Sequence, residues 1–189
     1  MAATPSRMVT LGTPMPSFSL PDATTGKAID STSLAGRPAV VIFICNHCPY
    51  VKHIQAGLAD FGRFCRESTV GMVAISANDV STHPDDAPEA MAAEAARAGY
   101  VFPYLYDESQ AVARAFGARC TPDLFIFDAD GKLAYRGQLD DARPGNGAPV
   151  TGRDARAAVE ALLAGRRPRA EQKPSIGCNI KWKPGNEPG

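Results

Sequence analysis

Two cysteines, Cys45 and Cys48, are separated by two residues and follow directly on an apolar run, 40–44, that is rich in β-branched side chains. Such a run predicts a strand buried on both faces, and the residues from Tyr50 to Cys65 are compatible with a helix. The cysteines would then lie at a helix N-terminus, where unpaired N–H groups and the helix dipole stabilise a thiolate. This spacing between a strand and a helix predicts a redox-active dithiol.

The two cysteines are expected to have different roles. Cys45 ends the strand and is predicted to be the more exposed thiol, so it would attack a substrate disulfide. Cys48, one turn into the helix, would then resolve the mixed disulfide. His47 lies between them and, when protonated, would favour the thiolate and make the disulfide more oxidising.

Cysteines two residues apart can also form half of a structural zinc site. Zinc takes four ligands, usually from a second such pair or from histidines, and the other cysteines, Cys65, Cys120 and Cys178, are isolated in the sequence. The sequence therefore favours redox chemistry, with no metal and no cofactor predicted. A chaperone that holds copper or zinc through Cys45, Cys48 and a histidine is the alternative from a different functional class.

Length and composition describe an ordinary globular protein. The chain has 189 residues, 44% of them hydrophobic, and a formal net charge of zero, which predicts one domain and gives no argument for nucleic acid or a membrane surface as partner. No apolar run approaches the roughly 20 residues that span a bilayer. Residues 1–14 lack the apolar core of a secretory signal, so a cytoplasmic protein is expected; the oligomeric state stays open.

Apolar runs and turn residues predict the element order βαβα, then a ββ hairpin, then α. Residues 1–10 are expected to be a flexible N-terminus, 11–165 the domain, and 166–189 a tail that packs on it, because apolar residues alternate along 176–182. The predicted strands are 17–20, 28–30, 40–44, 70–76, 104–106, 124–127 and 133–135, and the predicted helices are 50–65, 84–99, 109–116 and 153–164.

The element order, with C-N-H-C after the first core strand and T-P-D (121–123) before the hairpin, resembles the thioredoxin fold. The segments PSFSLPD (16–22) and TTGK (24–27) are similar to the redoxin branch, which includes alkyl-hydroperoxide-reductase/thiol-specific-antioxidant proteins and cytochrome-biogenesis-type reductases. CNHCPYVKH (45–53) and SIGCNIKWKPGN (175–186) resemble a peroxiredoxin-like subgroup. The resemblance implies an α/β fold with a central mixed sheet flanked by helices, an N-terminal β-hairpin and a docked C-terminal tail.

The resemblance also implies thiol–disulfide oxidoreductase activity on a protein or small-molecule disulfide, with Cys45 as nucleophile and Cys48 as resolving thiol. Pro122 would be the cis-proline that faces the pair, and Thr121 would present backbone groups to an extended substrate. The peroxiredoxin pattern P-x-x-x-T-x-x-C is not met, because Val41 and Cys45 stand at its proline and threonine positions. A thiol peroxidase that uses the same cysteines is the alternative enzyme class.

The isolated cysteines leave several possibilities open. Cys120 lies two residues before Pro122, so the resemblance implies that it is near the pair, either as a third redox-active thiol or as a small buried residue. Cys178 on the docked tail could pair with Cys120 or with Cys48. Cys65, late on the first helix, is expected to pack in the core.

Proton transfer is the remaining question for this site. The buried acid that thioredoxin has in the strand before its cysteines has no counterpart in the run 40–44. His47 and His53 are the candidates for that role, although His53 could equally be a helix-surface residue. His83 is expected to be a solvated loop residue.

Overall fold

The computed structural model describes residues 3–187. Its strands are β1 (Ala3–Pro5), β2 (Ser19–Pro21), β3 (Ala28–Asp30), β4 (Ala39–Phe43), β5 (Gly71–Ser76), β6 (Tyr104–Tyr106), β7 (Cys120–Thr121), β8 (Asp123–Phe127), β9 (Leu133–Gly137) and β10 (Ile176–Asn179). Its α-helices are α1 (Pro49–Glu67), α2 (Pro88–Ala98), α3 (Ala111–Phe116) and α4 (Arg153–Leu163). Within the described residues, no helix is both long and apolar enough to cross a membrane.

A five-stranded mixed sheet in the order β6-β5-β4-β8-β9 forms the centre of the fold. β4, β5 and β6 run parallel, while β8 pairs antiparallel with both β4 and β9. All five residues of β4 are buried, as expected for a central strand with both faces covered. The α/β architecture that the sequence predicted is therefore confirmed.

Helices cover the two faces of this sheet, and the alternation of side chains along β4 assigns each residue to one face. Val40 and Ile42 pack in a core with the apolar sides of α1, α2 and α4. Val41 and Phe43 pack in a second core with α3 and the N-terminal hairpin. The buried apolar surface on both faces holds the carboxyl end of β4 in place.

The parallel pairing of β4 with β5 determines where the functional residues meet. Since parallel neighbours end at the same edge of a sheet, the residues that follow β4 lie beside those that follow β5. The chain turns after β4 into α1, with Cys48 at the N-cap and Pro49 as the first helical residue, where its missing N–H costs nothing. Residues 45–48 therefore face the loop 77–86.

Two smaller sheets complete the fold. β2 and β3 form the predicted N-terminal hairpin. The C-terminal strand β10 lies between β1 and β7 and pairs antiparallel with both, so the predicted docking of the tail is confirmed. The expectation of a flexible segment over 1–10 does not hold at Ala3–Pro5, which pairs with β10, more than 170 residues away along the chain. Residues 1 and 2 of that segment lie outside the described residues.

Two predicted helices begin later than expected. The helix predicted over 84–99 divides into a short 3-10 turn, Pro84–Asp86, and α2. Pro88 causes the break, since a proline disfavours helical angles in the residue before it, and Ala87 is extended at φ −65° and ψ 154°. The second helix, predicted from residue 109, begins at Ala111 instead, after a left-handed Gln110.

Candidate active site: three thiols and a histidine–aspartate pair

Cys45 and Cys48 lie together where β4 passes into α1, and both are buried, with exposed fractions of 1% and 0%. Neither thiol is therefore exposed, and the predicted greater exposure of Cys45 amounts to a difference of one per cent. Its Sγ lies 3.4 Å from the Thr121 hydroxyl, and Cys48 Sγ lies 3.1 Å from the Thr121 carbonyl oxygen, to which its thiol form donates. β7 and the strand paired to it therefore cover both sulfurs.

The two thiols are neighbours that shift each other's pKa in opposite directions. The hydrogen bond from Cys45 lowers the pKa of Cys48 to about 4, against the opposing effect of burial, and the backbone N–H of Val51 in the first turn of α1 adds to the lowering. Hydrogen bonding to Cys48, burial and the charge of Asp86 raise the pKa of Cys45 well above its ordinary value. At neutral pH the pair holds one proton between its two sulfurs.

His47 forms a pair with a buried carboxylate that the sequence analysis missed. Its Nδ1 lies 2.6 Å from Asp86 Oδ2, and Asp86 has no exposed surface. The potential ligand atoms of Cys45, His47 and Asp86 lie within 4.8 Å of one another. The missing acid of the strand is thus replaced by a carboxylate from the loop after β5, and His47 is held beside the first cysteine.

Asp86 is fixed by donors from both neighbouring segments. Oδ1 accepts the backbone N–H groups of Asn46 at 2.7 Å and of His47 at 3.2 Å. Oδ2 also accepts a hydrogen bond from the Asn78 side-chain amide at 2.8 Å. The side-chain oxygen of Asn46 in turn accepts a hydrogen bond from the Tyr104 hydroxyl at 3.1 Å. A buried carboxylate with this many donors has its charge well compensated and a fixed orientation.

The other two histidines differ in their relation to this pair. His83 is half-buried and stacks on the His47 ring with the centroids 4.8 Å apart, so the expectation of a solvated loop residue is wrong. Burial, followed by the nearby His47, lowers the pKa of His83. His53 lies exposed on α1, which is the helix-surface alternative, so His47 is the candidate of the two that lies beside the cysteines.

Thr121 and Pro122 stand opposite the cysteines, and the peptide bond between them is cis, as the resemblance implies. The expected open strand edge at Thr121 is not found. Cys178 of β10 is the antiparallel partner of Thr121, because the docked tail takes the hydrogen-bonding edge that an extended substrate would use.

The structure separates the three isolated cysteines. Burial raises the pKa of Cys120, whose Sγ donates to the Pro122 carbonyl at 3.5 Å. Cys178 hydrogen-bonds with Cys48, and burial raises its pKa to about 12. Cys65 is buried at the far end of α1, in the core as predicted, and burial raises its pKa to about 12 as well. Of the alternatives left open for Cys178, the structure favours Cys48 as its neighbour.

The residues that the sequence analysis missed are Asn46, Asn78 and Asp86. One signal could have located Asn78: it follows β5, whose end must lie beside the cysteines if β4 and β5 are parallel neighbours. The signal for Asp86 is weaker. The loop after β5 must return toward that edge before it enters α2, but it carries two adjacent acids, Asp85 and Asp86, and the sequence does not show which of them contacts His47.

Comparison with known families gives one match over most of the chain. The family model described as Redoxin matches residues 10–152, a span that contains both site cysteines, the His47–Asp86 pair and the cis-proline. The comparison with curated proteins finds no match.

Solved structures resemble this chain at two levels. A structure described as an uncharacterized conserved protein from Geobacillus kaustophilus is 50% identical and covers 98% of each chain, with a TM-score of 0.96. A hypothetical protein, SMc02350, from Sinorhizobium meliloti 1021 is 47% identical, covering 96% of this chain and 100% of its own, with a TM-score of 0.94.

A solved structure with lower sequence identity identifies the fold. A thiol:disulfide interchange protein of the thioredoxin family from Chlorobium tepidum TLS is 21% identical, covering 82% of this chain and 99% of its own, with a TM-score of 0.63. At that identity the likeness shows the fold alone, and it confirms the predicted thioredoxin fold.

Proposed function

Because the chain belongs to the Redoxin family, we propose that it is a thiol–disulfide oxidoreductase in which Cys45 and Cys48 cycle between dithiol and disulfide. The observation that carries this proposal is the placement of both sulfurs at the start of α1 against Thr121, with Cys45 Sγ 3.4 Å from its hydroxyl and Cys48 Sγ 3.1 Å from its carbonyl oxygen. In this arrangement the neighbouring Cys45 lowers the pKa of Cys48 to about 4. A thiolate is the form that attacks a disulfide, so a site that holds one at neutral pH is suited to this exchange.

In the forward direction, Cys45 attacks one sulfur of a protein or small-molecule disulfide. Its proton passes to the Cys48 thiolate along their shared hydrogen bond as the new S–S bond forms, and the substrate's other sulfur leaves as a thiolate. Cys48 then attacks Cys45 Sγ and gives up that proton to the departing substrate sulfur as the mixed disulfide breaks. The first substrate thiolate takes its proton from His47 or from solvent, so the substrate is released as a dithiol. Two electrons pass from the protein to the substrate, and the reverse sequence oxidises a dithiol.

Two observations favour Cys45 over Cys48 as the attacking sulfur. Cys48 has no exposed surface, and its Sγ lies 3.1 Å from the Thr121 carbonyl oxygen. Cys45 instead neighbours His47, whose side chain retains 14% exposure. A substrate that approaches past the His47 ring would reach Cys45 first.

His47, held by Asp86, would supply the proton that the departing substrate thiolate takes up. Nδ1 of His47 is held by Asp86 at 2.6 Å, which fixes the ring and leaves Nε2 for the site. Nε2 is buried and has no hydrogen-bond partner among the described residues. It is the atom that would donate a proton to the departing thiolate or carry the positive charge that favours a thiolate at Cys45.

Trapping of the mixed disulfide tests the proposal. Cys48→Ser protein treated with glutathione disulfide, or with a disulfide-containing protein such as insulin, is expected to accumulate a mixed disulfide on Cys45, read by mass spectrometry. Wild-type protein equilibrated in glutathione buffers is expected to form a Cys45–Cys48 disulfide in one two-electron step. Protein that forms no such disulfide contradicts the proposal, and a mixed disulfide that forms faster on Cys48 in Cys45→Ser protein than on Cys45 in Cys48→Ser protein would reverse the two roles.

The same protein tests the peroxidase alternative. In stopped-flow mixing with hydrogen peroxide, an oxidoreductase without peroxidase activity is expected to react no faster than a free thiol does. A second-order rate far above that of a free thiol would assign the cysteines to peroxide reduction instead.

Metal binding is a second candidate function, because Cys45, His47 and Asp86 bring three potential ligand atoms within 4.8 Å of one another. One distance speaks against a shared ion: Nδ1 of His47 and Oδ2 of Asp86 are 2.6 Å apart, whereas two ligands of one tetrahedral zinc lie about 3.3 Å apart. Asp86 would therefore orient His47, leaving the thiolates and Nε2 to hold a copper or zinc ion. Elemental analysis after purification without added metal tests this, and substoichiometric metal counts against it.

A further inference from the structure

The tail strand β10 occupies the position that a bound peptide would take at the active site. Its Cys178 is the antiparallel partner of Thr121, and Asn179 is the partner of Cys120. An exposed strand edge binds extended peptides by strand addition, and here the chain fills its own edge. The residue that it brings to the cysteines is itself a cysteine.

The pairing register brings Cys178 to the side of the strand that carries the chemistry. Residues directly opposite each other in an antiparallel pair project from the same face, and Thr121, the partner of Cys178, contacts Cys45 through its hydroxyl and Cys48 through its carbonyl. Cys178 is therefore brought to the side of Thr121 on which Cys48 lies, and the neighbouring Cys48 adds to the raised pKa of Cys178. Cys120 is one residue along β7 and projects to the opposite face. The pairing register therefore places Cys178, and not Cys120, on the side of the cysteine pair.

Gly177 makes this close approach possible. A Cβ atom at this position would collide with the Thr121 carbonyl oxygen, so any other residue would push β10 away from β7. On either side of Cys178 the tail is anchored to the domain by hydrogen bonds: Ser175 Oγ donates to the Gly137 carbonyl at 2.7 Å, and the Lys181 N–H donates to the Asn78 side chain at 2.8 Å. Cys178 is thus held against Cys48 with an exposed fraction of 2%.

We propose that Cys178 is a third thiol of the reaction, which attacks Cys48 Sγ in the Cys45–Cys48 disulfide and moves the disulfide to Cys48–Cys178. This inference rests on the proposed oxidoreductase function. One S–S bond forms as one breaks, so no electrons enter or leave and no further reactant is needed. The Cys178 proton passes to the departing Cys45 sulfur, which lies beside the Thr121 hydroxyl.

The consequence is an oxidised protein with two disulfide isomers. In the first, Cys45 is bonded to Cys48. In the second, the tail is covalently joined to the start of α1, and Cys45 is again a free thiol beside His47. A protein in the second form has stored two oxidising equivalents while its nucleophile stays available for another exchange.

Labelling of the wild-type protein tests the inference without any substitution. Protein oxidised with diamide is quenched in acid, alkylated, digested without reduction and mapped by mass spectrometry. We expect both the Cys45–Cys48 and the Cys48–Cys178 disulfide, with alkylated Cys45 in the second form. Oxidised protein in which Cys45 is never alkylated and Cys178 always is would overturn the inference while leaving the proposed function intact.

Matched variants sharpen the result. Oxidised Cys45→Ser protein is expected to form the Cys48–Cys178 disulfide in most molecules, whereas Cys178→Ala should lower the Cys45 alkylation of oxidised protein at least tenfold. Cys120→Ser and Cys65→Ser leave the disulfide map unchanged if the register argument is correct. A Cys120-containing disulfide in wild-type protein contradicts it.

Failure of the inference and failure of the proposed function give different maps. Wild-type protein with a Cys45–Cys48 disulfide, together with Cys45→Ser protein in which Cys48 bonds only to an added thiol, rejects the third-thiol role alone. Wild-type protein without a Cys45–Cys48 disulfide rejects both. Circular dichroism of each variant, compared with wild type, identifies any that has lost the fold, and the wild-type map then decides.

Discussion

The two ends of α1 each carry a buried cysteine, and the two thiols differ in everything except burial. Cys48 at the N-cap and Cys65 near the C-terminal end both have an exposed fraction of 0%. The hydrogen bond from Cys45 lowers the pKa of Cys48 to about 4, whereas burial raises the pKa of Cys65 to about 12. The same residue type therefore has a lowered pKa at the start of this helix and a raised pKa near its end.

This difference shows that burial does not decide reactivity here. Burial alone disfavours a thiolate, and Cys65 has little else around it to oppose that effect. The pKa of Cys48 is lowered, against burial, by its neighbours Cys45, Thr121 and Cys178 and by the backbone N–H of Val51 in the first turn of the helix. Hydrogen-bond donors that converge on one sulfur are what separate the reactive end of α1 from the structural end.

Matched substitutions at the two ends give the largest expected effect. Cys48→Ala should lower the rate of disulfide reduction on the order of 10³-fold or more, because no second thiol can complete the exchange. Cys65→Ala should leave that rate within a few-fold of wild type and should reduce the free energy of unfolding by about 1 kcal/mol for the small cavity. Insulin reduction measures the rate and urea unfolding measures the stability. Equal rate losses in the two variants would contradict the difference in reactivity between Cys48 and Cys65.

A second prediction concerns the pair that serves the reactive end. Asp86→Asn removes the charge that holds His47 and should lower the exchange rate about 100-fold, the size of a typical acid–base contribution. Asp85→Asn is the matched control, since Asp85 is exposed and contacts Asn46 only through its backbone carbonyl. Rates measured with glutathione disulfide should separate the two variants; a full rate in Asp86→Asn would remove His47 from the mechanism.

The smallest expected effect is in the ionisation of Cys48, which should hardly change around neutral pH. With the pKa of Cys48 at about 4, the thiolate absorbance of reduced protein at 240 nm should stay constant from pH 6 to 8 and disappear near pH 4. The difference spectrum against Cys48→Ala isolates this signal. Absorbance that instead rises between pH 8 and 9, as for an ordinary thiol, contradicts the assignment.

The same titration has a definite sign for stability. The pKa of Cys48 in the folded protein is below its ordinary value of 9.0, so ionisation favours the reduced fold. That contribution is complete above about pH 9 and is lost as the pH falls toward 4. A stabilised thiolate also favours the reduced form over the disulfide, which makes the protein a stronger oxidant.

The sequence predicted the parts of this site that depend on local patterns. The apolar run of β4, the start of α1 and the cysteine spacing are contiguous in the chain, and their chemistry follows from helix-end electrostatics. The position of Pro122 came from resemblance to a family and not from the residues themselves.

The parts that could not be predicted depend on contacts between distant segments. Asp86 reaches His47 only because the loop after β5 folds back over the edge of the sheet. The burial of Cys45 depends on β7, a strand of two residues, and on its pairing with a tail more than 50 residues later. A strand of two residues has too little pattern for the sequence to predict which strand it pairs with.

The small sheet that covers the thiols joins residues 3–5 to residues 176–178, and it joins residues 178–179 to residues 120–121. It cannot assemble on the ribosome until residue 178 has left the exit tunnel, by which time β4, α1 and β5 are long complete. A nascent chain therefore passes through an interval in which its cysteine pair is formed and uncovered, and closing the longest loops is also the slowest part of folding. The dithiol thus meets the redox conditions of its surroundings before its own tail can shield it.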